Sequence, residues 1–232
     1  MERDLLDRLI QARARKEPVT HLRWLDRGEE QLVEGDPTAD SSLTEADAIA
    51  VQDVLRTDRG RTFDTARGKL FAQPFNPPLR LIVVGAVHIA QSLVPMASLS
   101  GYEAVVVDPR RAFSSDQRFP AVEISQDWPD DALQTLAIDA RTAVVTLTHD
   151  PKLDDPALDV ALCSPAFYIA ALGSRRTHAA RLERLRELGH DDAMLERIHG
   201  PAGLAIGAIS PAEIALSVMA EMTNVLRGAK EA

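Results

Sequence analysis

The chain has little of several things that would assign it a role at once. Of its 232 residues only Cys163 is a cysteine. No internal disulfide can form and no CxxC redox or metal motif exists, which suits a reducing compartment. No apolar run approaches the roughly 20 residues that a bilayer span needs. The first ten residues alternate charged and apolar side chains without the apolar centre of a leader peptide, so the expected location is the cytoplasm. Basic excess is also missing: 26 Lys and Arg stand against 35 Asp and Glu, a formal net charge of −9. Phosphate neutralisation carries most nucleic-acid binding, and basic patches carry most attraction to anionic lipid. Neither nucleic acid nor a membrane surface is therefore expected as a partner. There is no internal repeat, and no HExxH, GxSxG, Walker A or kinase signature is found, so no catalytic or metal residue is assigned.

What is there is ordinary for a folded protein: 45% hydrophobic and 26% charged residues, in a chain long enough for one large core or two small ones. The one composition boundary is the proline-rich stretch 74–78, where fixed φ angles and missing N–H donors suggest a linker. It divides a small α+β domain over 1–75 from a Rossmann-like α/β domain with a parallel sheet over 76–232. In the first part, 4–14 has the apolar spacing of a helix, and 19–34 and 62–73 read as hairpins turning at Gly28 and Gly68. Thr44 with Asp47 predicts an N-capped helix ending near Leu55. In the second part, the runs 79–85, 103–108, 143–148 and 166–172 are rich in Val, Ile, Leu and Ala and alternate with helical segments. That alternation implies parallel strands covered on both faces. Helices are predicted over 88–98, 177–188 and from Ser210 to about Leu226, the last opened by a Ser210–Pro211–Glu213 capping signal.

Candidate site residues cluster at the carboxyl ends of these strands, where open α/β sheets bind ligands. The first strand leads into Gly85-Ala86-Val87-His88-Ile89-Ala90, which has the first and third small residues of a dinucleotide-binding turn. Val87 replaces the second glycine and should crowd a diphosphate. Asp108 ends the second strand, 23 residues on, where a ribose-binding carboxylate belongs. The third strand delivers His149 and Asp150; the pair suits ligand hydrogen bonding, or a solvated turn. Gly173-Ser174-Arg175 forms a candidate anion nest at a helix start. Arg181, Arg184 and Arg186 read as an exposed helix face, and Cys163 as an inert thiol in an apolar stretch. The glycine-rich loop 199–208 suits either a ligand approach or a packed connection.

Several segments together resemble the Rossmann domain of the XdhC/CoxI family: LIVVGAVHIAQSLVPMA, VVVDPR, RTAVVTLTHDPKLDDPAL, SPAFYIAALGSRRTHAARLERL, RIHGPAGLAIGA and SPAEIALSVMAE. They cover about two thirds of the chain, from Leu79 to Arg227. The resemblance implies an accessory protein that binds the molybdenum cofactor, molybdopterin, as cargo. Such a protein presents the cargo to a cysteine desulfurase for sulfuration, inserts it into apo-xanthine dehydrogenase or a related molybdoenzyme, and works as a homodimer rather than an enzyme. The ligand-facing positions it implies are Gly85, His88, Asp108, His149, Asp150, Gly173, Ser174 and Arg175. This chain has Val87 where many members have glycine, and it lacks the Gly-Gly-Cys-Val-Glu motif of longer members. Two alternatives stand beside this expectation: an NAD(P)-binding oxidoreductase, against which Val87 speaks, and a non-catalytic interaction protein with a relic Rossmann domain.

Overall fold

The computed structural model describes residues 3–228. Met1 and Glu2, where the expected leaderless N-terminus begins, and the last four residues of the domain expected over 76–232 lie outside them. The chain divides into two compact units between Pro77 and Pro78.

The first unit is a four-stranded antiparallel sheet in the order β2-β1-β4-β3. Its strands are β1 (Val19–Trp24), β2 (Glu30–Glu34), β3 (Arg61–Thr65) and β4 (Gly68–Phe75). Helix α1 (Arg3–Ala14) covers the face carrying Val19 and Leu32, and α2 (Glu45–Thr57) covers the face carrying Leu22 and Trp24. The Thr44 hydroxyl accepts from the Asp47 amide, as the spacing predicts. Pro74 is not linker. It pairs with Thr20 inside β4, whereas β3 reaches no further than Ala72. A missing N–H is tolerated where a strand has a neighbour on one side only, so the break falls at Pro77.

The second unit is a parallel six-stranded sheet in the order β10-β9-β8-β5-β6-β7. The strands are β5 (Leu79–Val84), β6 (Tyr102–Val107), β7 (Glu123–Ser125), β8 (Thr142–Thr146), β9 (Tyr168–Ala171) and β10 (Ile198–His199). The chain runs outward from β5 to one edge, returns to β8, and runs to the other edge. The order therefore reverses between β5 and β8, the Rossmann arrangement. Residues on alternate faces of β5 enter separate cores. Leu81 and Val83 pack with α3 (His88–Leu99) and α8 (Pro211–Arg227). Ile82 and Val84 pack with α4 (Pro129–Thr135) and α5 (Pro151–Leu162), and α6 (Arg175–Glu187) and α7 (Asp192–Leu195) share that second core.

Three departures from the sequence reading have physical causes. The segment after His149 is not a loop: Asp150 caps α5 by accepting from the Lys152 amide, and Pro151 starts it, so the acidic run Asp154-Asp155 lies in helix. Helix α6 starts at Arg175 rather than at Thr177, because Ser174 is its N-cap and accepts from the Thr177 amide. Cys163 is the exposed C-cap of α5 and not part of a buried apolar stretch.

The glycine-rich loop is a packed connection at its start. A Cβ at Gly203, whose φ is +94°, would lie 2.3 Å from Ser217 Oγ and 3.0 Å from the Val218 amide. The Gly203 amide donates to Glu221 Oε2 (2.9 Å), which also accepts from the buried Tyr168 hydroxyl (2.5 Å), and His199 Nδ1 lies 3.5 Å from the other oxygen. Burial pushes the Glu221 carboxyl up, but its bonds to His199, Tyr168 and the Gly203 amide outweigh that and hold it below the usual carboxylate range. Its contribution is thus complete above the unfolded value near pH 4.3 and disappears as pH falls through the lower folded value. Glu221→Gln is expected to lose about 1–3 kcal/mol at neutral pH in urea denaturation. It should also flatten the acid limb of the stability profile, and an unchanged limb would count against this role.

Candidate functional site

The strand order brings the ends of β9, β8, β5 and β6 side by side, so the loops after them line one edge of the sheet. From β5 to β9 is two strand spacings, roughly 10 Å. Three helices, α3, α5 and α6, begin at this edge, and each presents the positive end of its dipole there. His88, His149, Asp150, Ser174 and Arg175 are exposed along it. Gly85 and Gly173 shape the turns that precede α3 and α6, with φ of +107° and +144°.

The geometry separates these residues by what their polar groups already do. Asp150 and Ser174 are occupied as helix caps. Asp108 is fully buried. Its Oδ2 accepts from the Ala86 amide (2.8 Å), and its two oxygens take a bidentate pair from Arg110 Nε (2.9 Å) and Nη2 (2.8 Å). Burial pushes its carboxyl up, while the Arg110 guanidinium and the amides of Ala86 and Arg110 hold it, on balance, below the usual range. The carboxylate at the ribose position thus serves the turn itself. From the other side Arg118 Nη1 donates to the Ala86 carbonyl (2.8 Å), so the turn is held at both polar groups of Ala86.

Val87 does not block the turn in the way its sequence position suggests. It is half-buried and packs against the core shared by β5, α3 and α8. As N-cap of α3 it offers no side-chain hydrogen bond. Among the three helix starts this one lacks a side-chain cap, so its first-turn N–H groups are the least committed donors at the edge.

Beneath the surface runs a polar chain that the sequence reading missed. A Cβ on Gly85 would lie 2.5 Å from Thr148 Cγ2, so the turn after β5 sits directly on the segment after β8. The Thr148 hydroxyl donates to Asp154 Oδ1 (2.5 Å). Asp154 Oδ2 lies 3.5 Å from Arg181 Nη2, which donates to the Leu172 carbonyl (2.9 Å) at the end of β9. The Asp154 and Arg181 side chains are each 2% exposed. Burial raises the Asp154 carboxyl against the opposing pull of Thr148 and Arg181, and burial lowers Arg181. Arg181 is therefore a buried brace and not part of an exposed face. Arg184 adds a bidentate pair to Asp155 (2.5 and 2.9 Å), and Arg186 pairs with Asp192 and Glu183 at the surface. An i, i+6 relation between Thr148 and Asp154 across a helix start was the available signal, but only the fold shows that Arg181 meets it. Among the described residues, no group of three His, Cys, Asp or Glu is arranged to hold a metal ion, and no helix is long and apolar enough to cross a membrane.

Together the parallel sheet and this edge define a Rossmann-type domain whose ribose-position carboxylate is committed to its own turn. The model of the XdhC Rossmann domain matches residues 81–222, and the chain belongs to that family. It is 34% identical over 155 residues to a protein of Escherichia coli (strain K12) named molybdenum cofactor insertion chaperone PaoD, across 67% of this chain and 42% of that one. It is 32% identical over 154 residues to a Bacillus subtilis (strain 168) protein named as a probable xanthine dehydrogenase component, across 66% of this chain and 44% of that one. The matched stretch thus spans less than half the length of either relative. A crystal structure described as a xanthine dehydrogenase from Bacillus halodurans matches 99% of this chain and 66% of its own, with 26% identity and a TM-score of 0.71.

Two stability outcomes follow from the buried chain. Gly85→Ala should cost at least about 2 kcal/mol, from the positive φ and the collision with Thr148. Adding Thr148→Ser, which removes the colliding methyl and keeps the hydroxyl, should recover part of that loss in urea denaturation; strict additivity would contradict the contact. Arg181→Met should cost about 3–5 kcal/mol by leaving Asp154 buried and alone. The companion Asp154→Leu should make the double variant more stable than Arg181→Met, as a thermal melt would record.

Proposed function

We propose that the protein binds the molybdenum cofactor as cargo and delivers it to a xanthine dehydrogenase-type molybdoenzyme. The observation that carries this reading is the carboxyl edge at the β5/β8 switch point. It combines an uncapped helix start, exposed imidazoles and an exposed guanidinium with a ribose-position carboxylate already in use, in a chain similar to a protein named as a cofactor insertion chaperone. In this reading the α3 amides and Arg175 attract the terminal phosphate of molybdopterin. His88 and His149 hydrogen-bond the polar pterin. Gly85 and Gly173 shape the turns, Asp150 and Ser174 fix the helix starts, and Asp108 acts as a positioning residue. A carrier must release its cargo, and a site of exposed side chains without covalent attachment suits that. The same reading makes the chain an insertion factor rather than an enzyme, acting in the cytoplasm as a homodimer and meeting a cysteine desulfurase before the target enzyme.

Purified protein mixed with molybdopterin should retain close to one equivalent on ultrafiltration and should restore activity to the apo-dehydrogenase. Arg175→Ala and His149→Ala should each weaken retention by roughly tenfold, the scale of one charge-assisted hydrogen bond, with the circular dichroism spectrum unchanged. Absence of retention at saturating cofactor ends the proposal, and tight NADH binding would turn it toward an oxidoreductase.

A further inference from the structure

A second concave region lies away from the carboxyl edge, between the outer face of α3 and the segment 118–122. It is a cavity of about 580 Å³ whose wall includes Val94, Pro95, Leu99, Arg118, Phe119 and Val122. That volume is within the range of small-molecule sites, which are mostly apolar with a few placed polar groups. The wall has this character: apart from Gln91, Ser98 and Arg118 every lining side chain is apolar. Leu99 on its rim is 90% exposed, which is unusual for a leucine that serves only the core.

Arg118 is the one charged residue in the wall. Its hydrogen bonds go to neutral groups: the Ala86 and Phe113 carbonyls from Nη1 (both 2.8 Å) and Gln91 Oε1 from Nη2 (3.2 Å). It has no ion pair among the described residues, unlike Arg110, which sits on Asp108. A guanidinium has five N–H donors. Three are used, leaving Nε–H and one Nη2–H. Arg110 grips the Asp108 carboxylate with that same pair of atoms. The guanidinium is also flanked by Phe113 and Phe119, with Cζ 5.9 and 5.7 Å from the two ring centroids. A half-buried cation beside apolar surface, fixed in place and without a counter-ion, favours an anion that supplies two acceptors.

We infer that this cavity binds a small carboxylate with an apolar body, its carboxylate on Arg118 and its body against Val94, Leu99 and Val122. A single carboxylate neutralises one guanidinium. A dianionic phosphate would leave uncompensated charge against the apolar wall. The site is independent of cargo binding at the carboxyl edge, although Arg118 also holds the Ala86 carbonyl there.

Benzoate and its neutral counterpart benzamide are suitable probes, titrated into the full chain and followed by methyl NMR. Benzoate should shift the methyl signals of Val94, Leu99, Ala121 and Val122 saturably and bind about tenfold more tightly than benzamide, the scale of a charge-assisted bidentate pair. Arg118→Gln should bring the two probes to within about twofold of each other. Because that variant also loosens the Ala86 turn, Ser98→Trp supplies an independent check: it fills the cavity from the exposed side of α3 and should abolish binding without moving the melting temperature. Equal affinity for both probes, shifts confined to His149 and the α6 start, or unimpaired benzoate binding by Ser98→Trp would each overturn the inference. None of these readouts requires molybdopterin, so the cargo reading stands or fails separately.

Discussion

The buried chain from Gly85 through Thr148 and Asp154 to Arg181 is the constraint on which the carboxyl edge depends. Each link joins a different loop: the turn after β5, the segment after β8, the first turn of α5, and the helix that follows β9. A buried ion pair is seldom a net source of stability, because desolvation offsets most of the attraction. Its effect here is geometric. Once Asp154 and Arg181 are out of water, each penalises any movement that would leave the other alone, so three loops keep one register.

The second constraint acts on the first turn of the domain. In a dinucleotide-binding Rossmann domain the carboxylate at the end of the second strand reads the ribose. Here Arg110 and the Ala86 amide consume both oxygens of Asp108. The same atoms thus exchange a ligand-reading role for a structural one. What remains open toward solvent is cationic or dipolar: the uncapped start of α3, the imidazoles of His88 and His149, and Arg175. An edge of that character attracts an anion without selecting a nucleoside, which fits a phosphorylated pterin better than NAD(P).

Much of the architecture was legible before any coordinates. Runs of β-branched residues marked β5, β6 and β8, and the alternation with helices implied a parallel sheet. The caps at Thr44 and Ser210 were visible because one short side chain and a residue three positions on suffice to make them. Helix α5 was hidden because Pro151 and Pro156 read as breakers, although a proline at the first position of a helix replaces a donor that has no partner there. The short strands β7 and β10 were hidden because two or three residues give no periodicity.

The candidate residues were legible as a set but not by role. Sequence by itself determined that His88, Asp108, His149 and Arg175 follow successive strands, because local propensity and patterning are properties of neighbours in the chain. Tertiary structure alone decided which of them stay free. Asp108 meets Arg110 and Ala86, Arg181 meets Asp154, and Val87 turns into the core, because those choices depend on desolvation and on partners brought together across the sheet. A polar side chain's function is set by the hydrogen bonds left over after folding, and that remainder is fixed only when the strands are in order.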